Sequence, residues 1–420
     1  MMRKLIAISA VLVLALLLTL APACGKGEEV GPGVTPTPGT PGATPTPTPQ
    51  AKTFKIGLLS ALSGPAAPWG IPFEEGAEWA IDRINEAGGF KVGNDTYMLK
   101  LVECDTKMVA SVAGECATRL VYDEGIHYVI GPISLPELSA AAPVFNEEIV
   151  FSVDFAAYFD PTQFPYAFHT IPLGEDATYI RSFMSMVLKQ RPGIKTIAYT
   201  NSEGTSQETW HPCELKVAKE FGLTVVGEEF FAGGTTDFYP ILTKLVAKKP
   251  DAINMESAAP GYLALQIKQA RELGYQGIMM APNGTTPEQL IPVTGVQAAE
   301  GFLNNQADYD DPAWPEATKA LNQDFKRRYP HSSIYTLTIS GFATVNLYVQ
   351  GMQAAGTTDP AKVKTVFDDP NFTFDFFGFE EKLGGHETYG LARWYAFPNA
   401  LSVFTNGQLK QLDFDLVEVP

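Results

Sequence analysis

Short apolar strands alternate with amphipathic helices along most of this 420-residue chain, and this alternation restricts the fold more than any other feature. The first predicted strand, 54–59, precedes a helix over 73–87 whose apolar residues recur at helical spacing. The series continues with strands over 99–104, 128–130 and 149–153 and helices over 109–122 and 137–147. Mostly apolar strands connected by helices form parallel sheets covered on both faces, so the sequence predicts an α/β fold.

The series repeats after Gly174, which predicts a second sheet. Helices are expected over 176–190, 207–221, 238–248 and 262–273, and strands over 196–199, 223–230, 252–255 and 277–281. Ligands bind open α/β sheets outside the carboxyl ends of the strands, so two doubly wound sheets that face each other would enclose a cleft. After Gly301 the pattern changes to helices over 314–329, 336–355 and 360–367, then to strand-like segments over 372–379, 391–397 and 401–404.

The first 23 residues are typical of a secretory signal peptide, with a basic start, an apolar run over 5–20 and small residues before Cys24. The run is shorter than the roughly 20 residues that span a bilayer core. Small residues followed by a cysteine resemble the bacterial lipobox, in which the thiol takes a diacylglycerol and becomes the mature N-terminus. A plain signal peptide with an incidental cysteine is the alternative. Residues 24–52, rich in Thr-Pro pairs and glycine, then predict a solvated, lipid-anchored linker, or ordinary disorder with no spacing role.

The net charge limits which classes of molecule the protein can bind. A formal charge of −17 at pH 7 argues against a nucleic-acid partner, because a protein that binds nucleic acid needs a basic stripe. We expect membrane contact only through the lipid anchor.

Cys104 and Cys116 are candidates for a disulfide because a strand end and the next helix come close; buried thiols acting as small apolar groups are the alternative. Cys213 would remain in either case. The five histidines have no metal-ligand spacing, and no cofactor is expected.

Motifs for catalysis are missing from the sequence. It contains no G-x-S-x-G, no P-loop, no G-x-G-x-x-G after a strand and no H-E-x-x-H. His211 lies near Cys213, but residues two apart in a helix point to different sides. The sequence therefore predicts that the protein is not an enzyme.

Short motifs follow one another in a fixed order between residue 54 and about residue 390. They are Ile56-Gly57-Leu58, Ser63-Gly64-Pro65-Ala66, Gly76-Ala77-Glu78-Trp79-Ala80, Val129-Ile130-Gly131-Pro132, Gly234-Thr235-Thr236-Asp237-Phe238, Pro250-Asp251-Ala252, Gln269-Ala270-Arg271-Glu272-Leu273-Gly274 and Ala299-Glu300-Gly301. In this order and spacing they resemble the type I periplasmic solute-binding proteins, in the branch that binds branched-chain amino acids for ABC importers.

The resemblance implies two Rossmann-like lobes that close on a ligand by hinge motion. The N-terminal lobe would comprise 53–171 plus 304–377, and the C-terminal lobe 172–303 plus 378–420. Three crossovers would join the lobes, near 169–173, 301–305 and 377–381.

The resemblance also implies where the ligand binds. In this family the N-terminal lobe holds the ligand carboxylate with hydroxyls and amides. The aromatic position of this lobe matches Trp69, which would stack on the ligand or pack on its own loop. The serine position falls on Leu135, with Ser134 beside it, and the following small-residue and threonine positions fall on Phe155 and Ala157, with Tyr158 next.

The second-lobe positions depart further from the family pattern, in which an acid and aromatic groups hold the ligand ammonium. The aromatic positions fall on Thr205 and on Ala258, next to Ser257, and the acid position falls on Asn283. A buried ammonium would then lack its counter-charge, unless Glu256 points inward rather than into solvent. We therefore expect a ligand less polar than leucine, aromatic or amide-like.

The sequence thus predicts an exported lipoprotein, at the outer face of the cytoplasmic membrane or in the periplasm, that passes a small organic solute to ABC permease subunits. The alternative is a ligand-sensing receptor component that signals through a membrane partner, since the same scaffold serves in receptors.

Overall fold

The computed structural model describes residues 51–64, 66–154, 162–170, 177–204, 206–255 and 260–418. The predicted signal peptide, Cys24 and the predicted linker up to residue 50 lie outside the described residues. Lys52, the last residue of that linker, already belongs to the first strand. Within the described ranges, no helix has both the length and the apolar character that crossing a bilayer requires.

The described residues form sixteen strands, twelve α-helices and two short π-helical segments, Arg119–Asp123 and Ser206–Trp210. The strands are β1 (Lys52–Ser60), β2 (Phe90–Val92), β3 (Asp95–Asp105), β4 (Tyr128–Ile130), β5 (Phe151–Asp154), β6 (Ala167–His169), β7 (Thr196–Ser202), β8 (Thr224–Phe231), β9 (Ala252–Met255), β10 (Ile278–Ala281), β11 (Leu303–Asn304), β12 (Thr373–Asp375), β13 (Glu380–Gly384), β14 (Trp394–Tyr395), β15 (Phe397–Thr405) and β16 (Gln408–Val417). The helices are α1 (Ala67–Glu86), α2 (Ala110–Thr118), α3 (Leu135–Glu148), α4 (Thr178–Gln190), α5 (His211–Glu220), α6 (Tyr239–Ala247), α7 (Pro260–Glu272), α8 (Pro287–Ala299), α9 (Glu316–Arg328), α10 (Thr336–Ala355), α11 (Pro360–Phe367) and α12 (His386–Tyr389).

Nine strands form the first sheet, in the order β12-β13-β14-β6-β5-β4-β1-β3-β2. The six strands from β3 to β14 pair in parallel. The edge strands β2 and β12, and β13 next to β12, pair antiparallel to their neighbours. The expected parallel sheet is confirmed in the centre, and antiparallel pairs, which need no crossover helix, extend it at both edges.

Seven strands form the second sheet, in the order β16-β15-β11-β10-β9-β7-β8. The five strands from β11 to β8 are parallel. β15 pairs antiparallel to β11, and β16 antiparallel to β15. Both sheets therefore present the carboxyl ends of several parallel strands along one edge.

The chain passes between the two sheets three times. The first passage lies between β6 and α4, the second follows β11, and the third is Ala396, between β14 and β15. The sequence placed the third crossover at 377–381 and assigned 378–395 to the second lobe. That assignment is wrong for β13 and β14, because both pair within the first sheet. An apolar strand pattern at an edge does not specify which sheet the strand joins.

Two glycines let the long helices α1 and α10 pack closely in the first lobe. A Cβ on Gly76 would lie 1.9 Å from the carbonyl oxygen of Thr338, and a Cβ on Gly341 would lie 2.2 Å from that of Phe73. Any larger residue would force the two backbones apart. The close contact carries the start of α10 towards the loop edge of the sheet.

Cys104 and Cys116 form a disulfide that joins the end of β3 to α2, with their Cα atoms 5.7 Å apart. The predicted disulfide is therefore confirmed, and the alternative of two buried free thiols is wrong. Cys213 is not part of this disulfide, and its thiol donates a hydrogen bond to the carbonyl of Thr209.

Candidate functional site

In the described part of the chain, the candidate ligand residues lie in segments that follow β1, β4 and β10. Trp69, Ser134, Leu135 and Asn283 belong to the described part of the chain. The other residues predicted from the sequence lie outside it: Phe155, Ala157, Tyr158, Thr205, Glu256, Ser257 and Ala258.

Trp69 lies in the first turn of α1, directly after the loop that follows β1. Its half-buried side chain packs against the core of the first lobe. Burial raises the pKa of Tyr335, which immediately precedes α10, and the neighbouring Trp69 side chain acts in the opposite direction. Trp69 therefore lies near a distant chain segment. Tyr335 is a candidate site residue that the sequence analysis missed, because no local pattern connects it to Trp69.

Asp105, at the end of β3, fixes the loop between β1 and α1. Its carboxylate accepts hydrogen bonds from the N–H groups of Leu62 (2.9 Å), Ser63 (3.3 Å) and Lys107 (3.0 Å), and from the Ser63 hydroxyl (2.5 Å). Burial acts to raise the pKa of Asp105, but the Ser63 hydroxyl and these N–H groups outweigh burial and lower the pKa below its usual value. The loop that leads to Trp69 is thus held by an ionised carboxylate.

Ser134 and Leu135 begin α3, and both have partners within the first lobe. Ser134 is the N-cap, and its hydroxyl (2.7 Å) and its N–H (3.1 Å) both donate to Oε2 of Glu137. The Thr106 hydroxyl donates to Oε1, so the fully buried Glu137 ties the end of β3 to the start of α3. Leu135 packs on a small apolar cluster that includes Leu138. The proton of the Ser134 hydroxyl is therefore committed to the helix cap.

Gly131 follows β4 at the same edge. Its φ is +98°, and a Cβ would lie 1.9 Å from the carbonyl oxygen of Leu59. Glycine is required here both by the left-handed backbone and by the close approach of β1. The chain can thereby turn sharply into the segment that carries Ser134.

Asn283 lies in the loop between β10 and α8, which two other elements hold in place. The Tyr179 hydroxyl donates to the carbonyl of Pro282 at 3.1 Å. The Asn304 side chain pairs with the backbone of Thr285 in both directions: Oδ1 accepts its N–H and Nδ2 donates to its carbonyl, each at 2.9 Å. The backbone of Asn283 is thus fixed from both sides.

The start of α10 lies against this loop. A Cβ on Gly284 would be 3.2 Å from Oγ1 of Thr336, the residue that follows Tyr335. Because Tyr335 also lies near Trp69, the structure brings the Trp69 and Asn283 segments to one region. Trp69 and Asn283 are therefore two predicted ligand positions, one from each lobe, that described residues link to each other.

A buried polar cluster lies at the ends of β7 and β9. Glu214, on α5, accepts the side-chain N–H groups of Asn201 (2.9 Å) and Asn254 (2.6 Å) on different oxygens. His211 bonds to Glu214 through Nδ1 and to Glu228 through Nε2, each at 2.9 Å. The sequence analysis missed this cluster; its one signal is the run of polar residues on the buried face of a predicted helix.

The cluster shifts the titration of its members. Burial acts to lower the pKa of His211, but Glu214 and Glu228 stabilise the imidazolium more strongly and raise the pKa above its usual value. Complete burial raises the pKa of Glu214, although His211 and Asn201 favour its charged form. Both shifts favour the protonated forms of these two side chains.

A groove of about 220 Å³ lies beside the second passage between the sheets. Its lining includes Thr286, Gln306, Asp308, Asn322 and Ile334, and none of the four predicted ligand residues that the structure describes. Within the described ranges, no three His, Cys, Asp or Glu side chains are grouped so that they could hold a metal ion.

Known proteins match this chain over most of its length. The sequence profile of the family described as "Periplasmic binding protein" matches residues 53–399. The leucine-, isoleucine-, valine-, threonine-, and alanine-binding protein of Pseudomonas aeruginosa is 26% identical over 345 residues, which are 79% of this chain and 87% of the relative.

Solved structures show the same fold. The branched-chain amino acid transporter substrate-binding protein LivJ of Streptococcus pneumoniae, solved with isoleucine, superimposes with a TM-score of 0.71 at 20% identity, covering 87% of this chain and 100% of that chain. A solute-binding protein of an R. palustris ABC transporter, solved with benzoate, superimposes with a TM-score of 0.70 at 19% identity, covering 87% and 97%.

Proposed function

The chain belongs to the periplasmic binding protein family, and from that premise we propose that it captures a small organic solute between its lobes and delivers it to the permease of an ABC importer. Its fold is the two-lobed type I fold of that family. It is a solute-binding protein and not an enzyme, and family membership implies that it is exported. The observation that carries the proposal is the meeting of the Trp69 and Asn283 segments through Tyr335 and Thr336.

The solute we propose is less polar than a free amino acid, either aromatic or amide-like. The family's serine position falls on Leu135, which has no hydroxyl, and the hydroxyl of neighbouring Ser134 donates to Glu137, which leaves no proton there for a ligand carboxylate. Asn283 stands where the family has an acid, so a ligand ammonium would lack its counter-charge. An indole and a phenol at Trp69 and Tyr335 suit a planar group. The same fold holds isoleucine in one neighbour and benzoate in another, so it accommodates both classes.

The ligand-binding residues in this proposal come from both lobes. They are Trp69, Ser134, Leu135, Phe155, Ala157, Tyr158, Thr205, Glu256, Ser257, Ala258 and Asn283, together with Tyr335. We also propose that Cys24 carries a lipid and that the Thr-Pro-rich linker holds the lobes off the membrane. Mass spectrometry of the exported chain and of Cys24→Ala would test this: the lipid mass should be present in the first and missing from the second.

Native mass spectrometry of protein purified without refolding is the first test of solute capture, because a tightly held solute is retained. Calorimetry with benzoate, 4-hydroxybenzoate, phenylacetamide, leucine and valine then assigns the class. Trp69→Ala should weaken binding about tenfold, through loss of the stacking surface. Tyr122→Ala is the matched control, because this exposed aromatic follows α2, at the opposite end of the lobe from the loops.

The results distinguish the proposed ligand class from the proposed capture of a solute. Micromolar or tighter binding of leucine or valine would contradict the proposed ligand class and leave solute capture intact. A chain that retains nothing and binds nothing in the panel would contradict solute capture itself.

A further inference from the structure

We propose that Glu214 positions the second-lobe face of the ligand cleft and that His211 makes this positioning depend on pH; the inference rests on the proposed solute-binding function. Asn201 and Asn254 each lie one residue before the end of a strand, β7 and β9, and these strands are neighbours in the second sheet. The segments that follow lead into predicted ligand positions, Thr205 and 256–258. Whatever holds the two asparagines therefore holds the bases of two ligand loops.

One carboxylate holds both. Oε2 of Glu214 accepts from Asn201 at 2.9 Å and Oε1 accepts from Asn254 at 2.6 Å. Glu214 is 1% exposed, so water does not compete for these bonds. We call Glu214, Asn201 and Asn254 the carboxylate clamp. It fixes two strand ends to α5, and removal of the carboxylate would release both of them together.

His211 connects the clamp to solvent. Its Nδ1 bonds to Glu214, and its Nε2 bonds to Glu228, whose side chain is 42% exposed. The titratable groups that face the imidazole are Glu214 on α5, Glu228 on β8 and Tyr199 on β7, whose ring lies edge-on at 5.4 Å. The protonated ring donates to both carboxylates, whereas the neutral ring has one N–H and can donate to only one.

Unpaired hydrogen-bonding atoms in and beside the clamp allow a second arrangement of its hydrogen bonds. Oδ1 of Asn201, Oδ1 of Asn254 and the Tyr199 hydroxyl are enclosed and lack hydrogen-bond partners within the described residues. Unpaired buried polar groups are unfavourable, so a rearrangement that pairs them gains free energy. Nδ2 of Asn201 also lies 2.7 Å from Nδ1 of His211. When Nδ1 loses its proton it no longer donates to Glu214 and can instead accept from Asn201, which draws Asn201 away from Glu214 and favours that rearrangement.

Calorimetry between pH 6 and pH 9, with benzoate and isoleucine as probes, tests the consequence for binding. Because the two glutamates favour protonated His211, the clamp is complete at pH 6. We expect affinity to fall about tenfold by pH 9, a typical size for coupled sites. In His211→Gln the affinity should be independent of pH and match the weaker wild-type value. Glu228→Gln, at a half-exposed position, should move the transition to lower pH. His127→Gln, a first-lobe histidine bonded to the Glu148 carbonyl, is the control and should retain the wild-type profile.

NMR separates failure of the clamp from failure of the proposed function. In the unliganded full chain, the side-chain amide signals of Asn201 and Asn254 should titrate with the same midpoint as the His211 ring. Amide signals that stay constant through the His211 transition, or a His211→Gln affinity profile identical to the wild type, would overturn the proposal. If neither probe binds, neither benzoate nor isoleucine is the solute of this protein, and the amide titration alone decides whether the clamp responds to pH.

Discussion

Three carboxylates hold the loops at the candidate site: Asp105 and Glu137 in the first lobe and Glu214 in the second. Within the described residues none of them pairs with a lysine or an arginine; their partners are hydroxyl, amide, backbone N–H and imidazole groups. Such hydrogen bonds depend on direction as well as charge, so each carboxylate fixes a particular backbone conformation. Both lobes therefore use the same means of ordering the loops that face the cleft.

Asp105→Asn should lower the free energy of unfolding at pH 7 by about 2 kcal/mol, since the amide keeps one acceptor and loses the charge that its donors stabilise. The pKa of Asp105 is lowered in the folded state, so its contribution is present above the unfolded pKa and is lost as pH falls through the folded pKa. Urea unfolding at pH 7 and pH 3 should therefore show a difference that shrinks at the lower pH. Asp123→Asn, at an exposed position, is the control, and an equal loss at both pH values would contradict the prediction.

Candidate positions could be assigned where a family motif marks them, and not where a distant partner defines a contact. Trp69 and Asn283 were assigned from the order of motifs along the chain, and their role in ligand binding stays a prediction. Glu137 and Tyr335 do not, because their roles depend on Thr106 and Trp69, which folding alone brings near. The family's serine position was placed on Leu135, with Ser134 beside it, but the direction of the Ser134 hydroxyl depends on the cap that it forms with Glu137.

Elements with an uninterrupted pattern were predicted to the residue. The strands Tyr128–Ile130 and Ala252–Met255 and the helices Thr336–Ala355 and Pro360–Phe367 have the bounds expected from periodicity. Helix α8 was missed because Pro292 and Gly295 interrupt it, although Thr286 and Gln289 form a capping box at its start. Strands as short as β6 and β11 have too few residues to show an alternation.

The helix pair α1 and α10 tolerates no added bulk at its contact. Gly341→Ala should destabilise the protein by about 2 kcal/mol, because the new methyl group would overlap the carbonyl of Phe73 and push the helices apart. Gly261→Ala, in α7 with open space around it, should be neutral or slightly stabilising, through helix propensity. Thermal unfolding of both variants gives the comparison, and equal stabilities would show that α1 and α10 can separate at no cost.

The disulfide should contribute about 3 kcal/mol, the value expected for a cross-link that closes a short loop. Its two cysteines are 12 residues apart in sequence. The double variant Cys104→Ser/Cys116→Ser should unfold at lower urea, and reductant should destabilise the wild type but leave that variant unchanged. Cys213→Ser should keep the sensitivity to reductant. A wild type that reductant does not affect would argue against the cross-link.

At the scale of the whole molecule, solute capture requires the two lobes to approach each other. Small-angle scattering should show a decrease in the radius of gyration when the bound solute is added to protein stripped of it. Asn283→Asp restores the acid that the family has at this position, so a ligand with an ammonium group should then close the lobes more effectively. A scattering profile that stays the same with a solute proven by calorimetry to bind would mean that capture proceeds without lobe closure.

The third passage between the sheets limits how the two lobes can move relative to each other. β14 ends at Tyr395 and β15 begins at Phe397, so buried Ala396 alone separates a strand of one sheet from a strand of the other. Neighbouring Cα atoms are about 3.8 Å apart, and the backbone here has no spare length. Translation of one lobe past the other would pull a strand out of register, whereas rotation changes only a few torsion angles. The axis of any such rotation must pass close to Ala396, and a loop travels along an arc whose length grows with its distance from that residue.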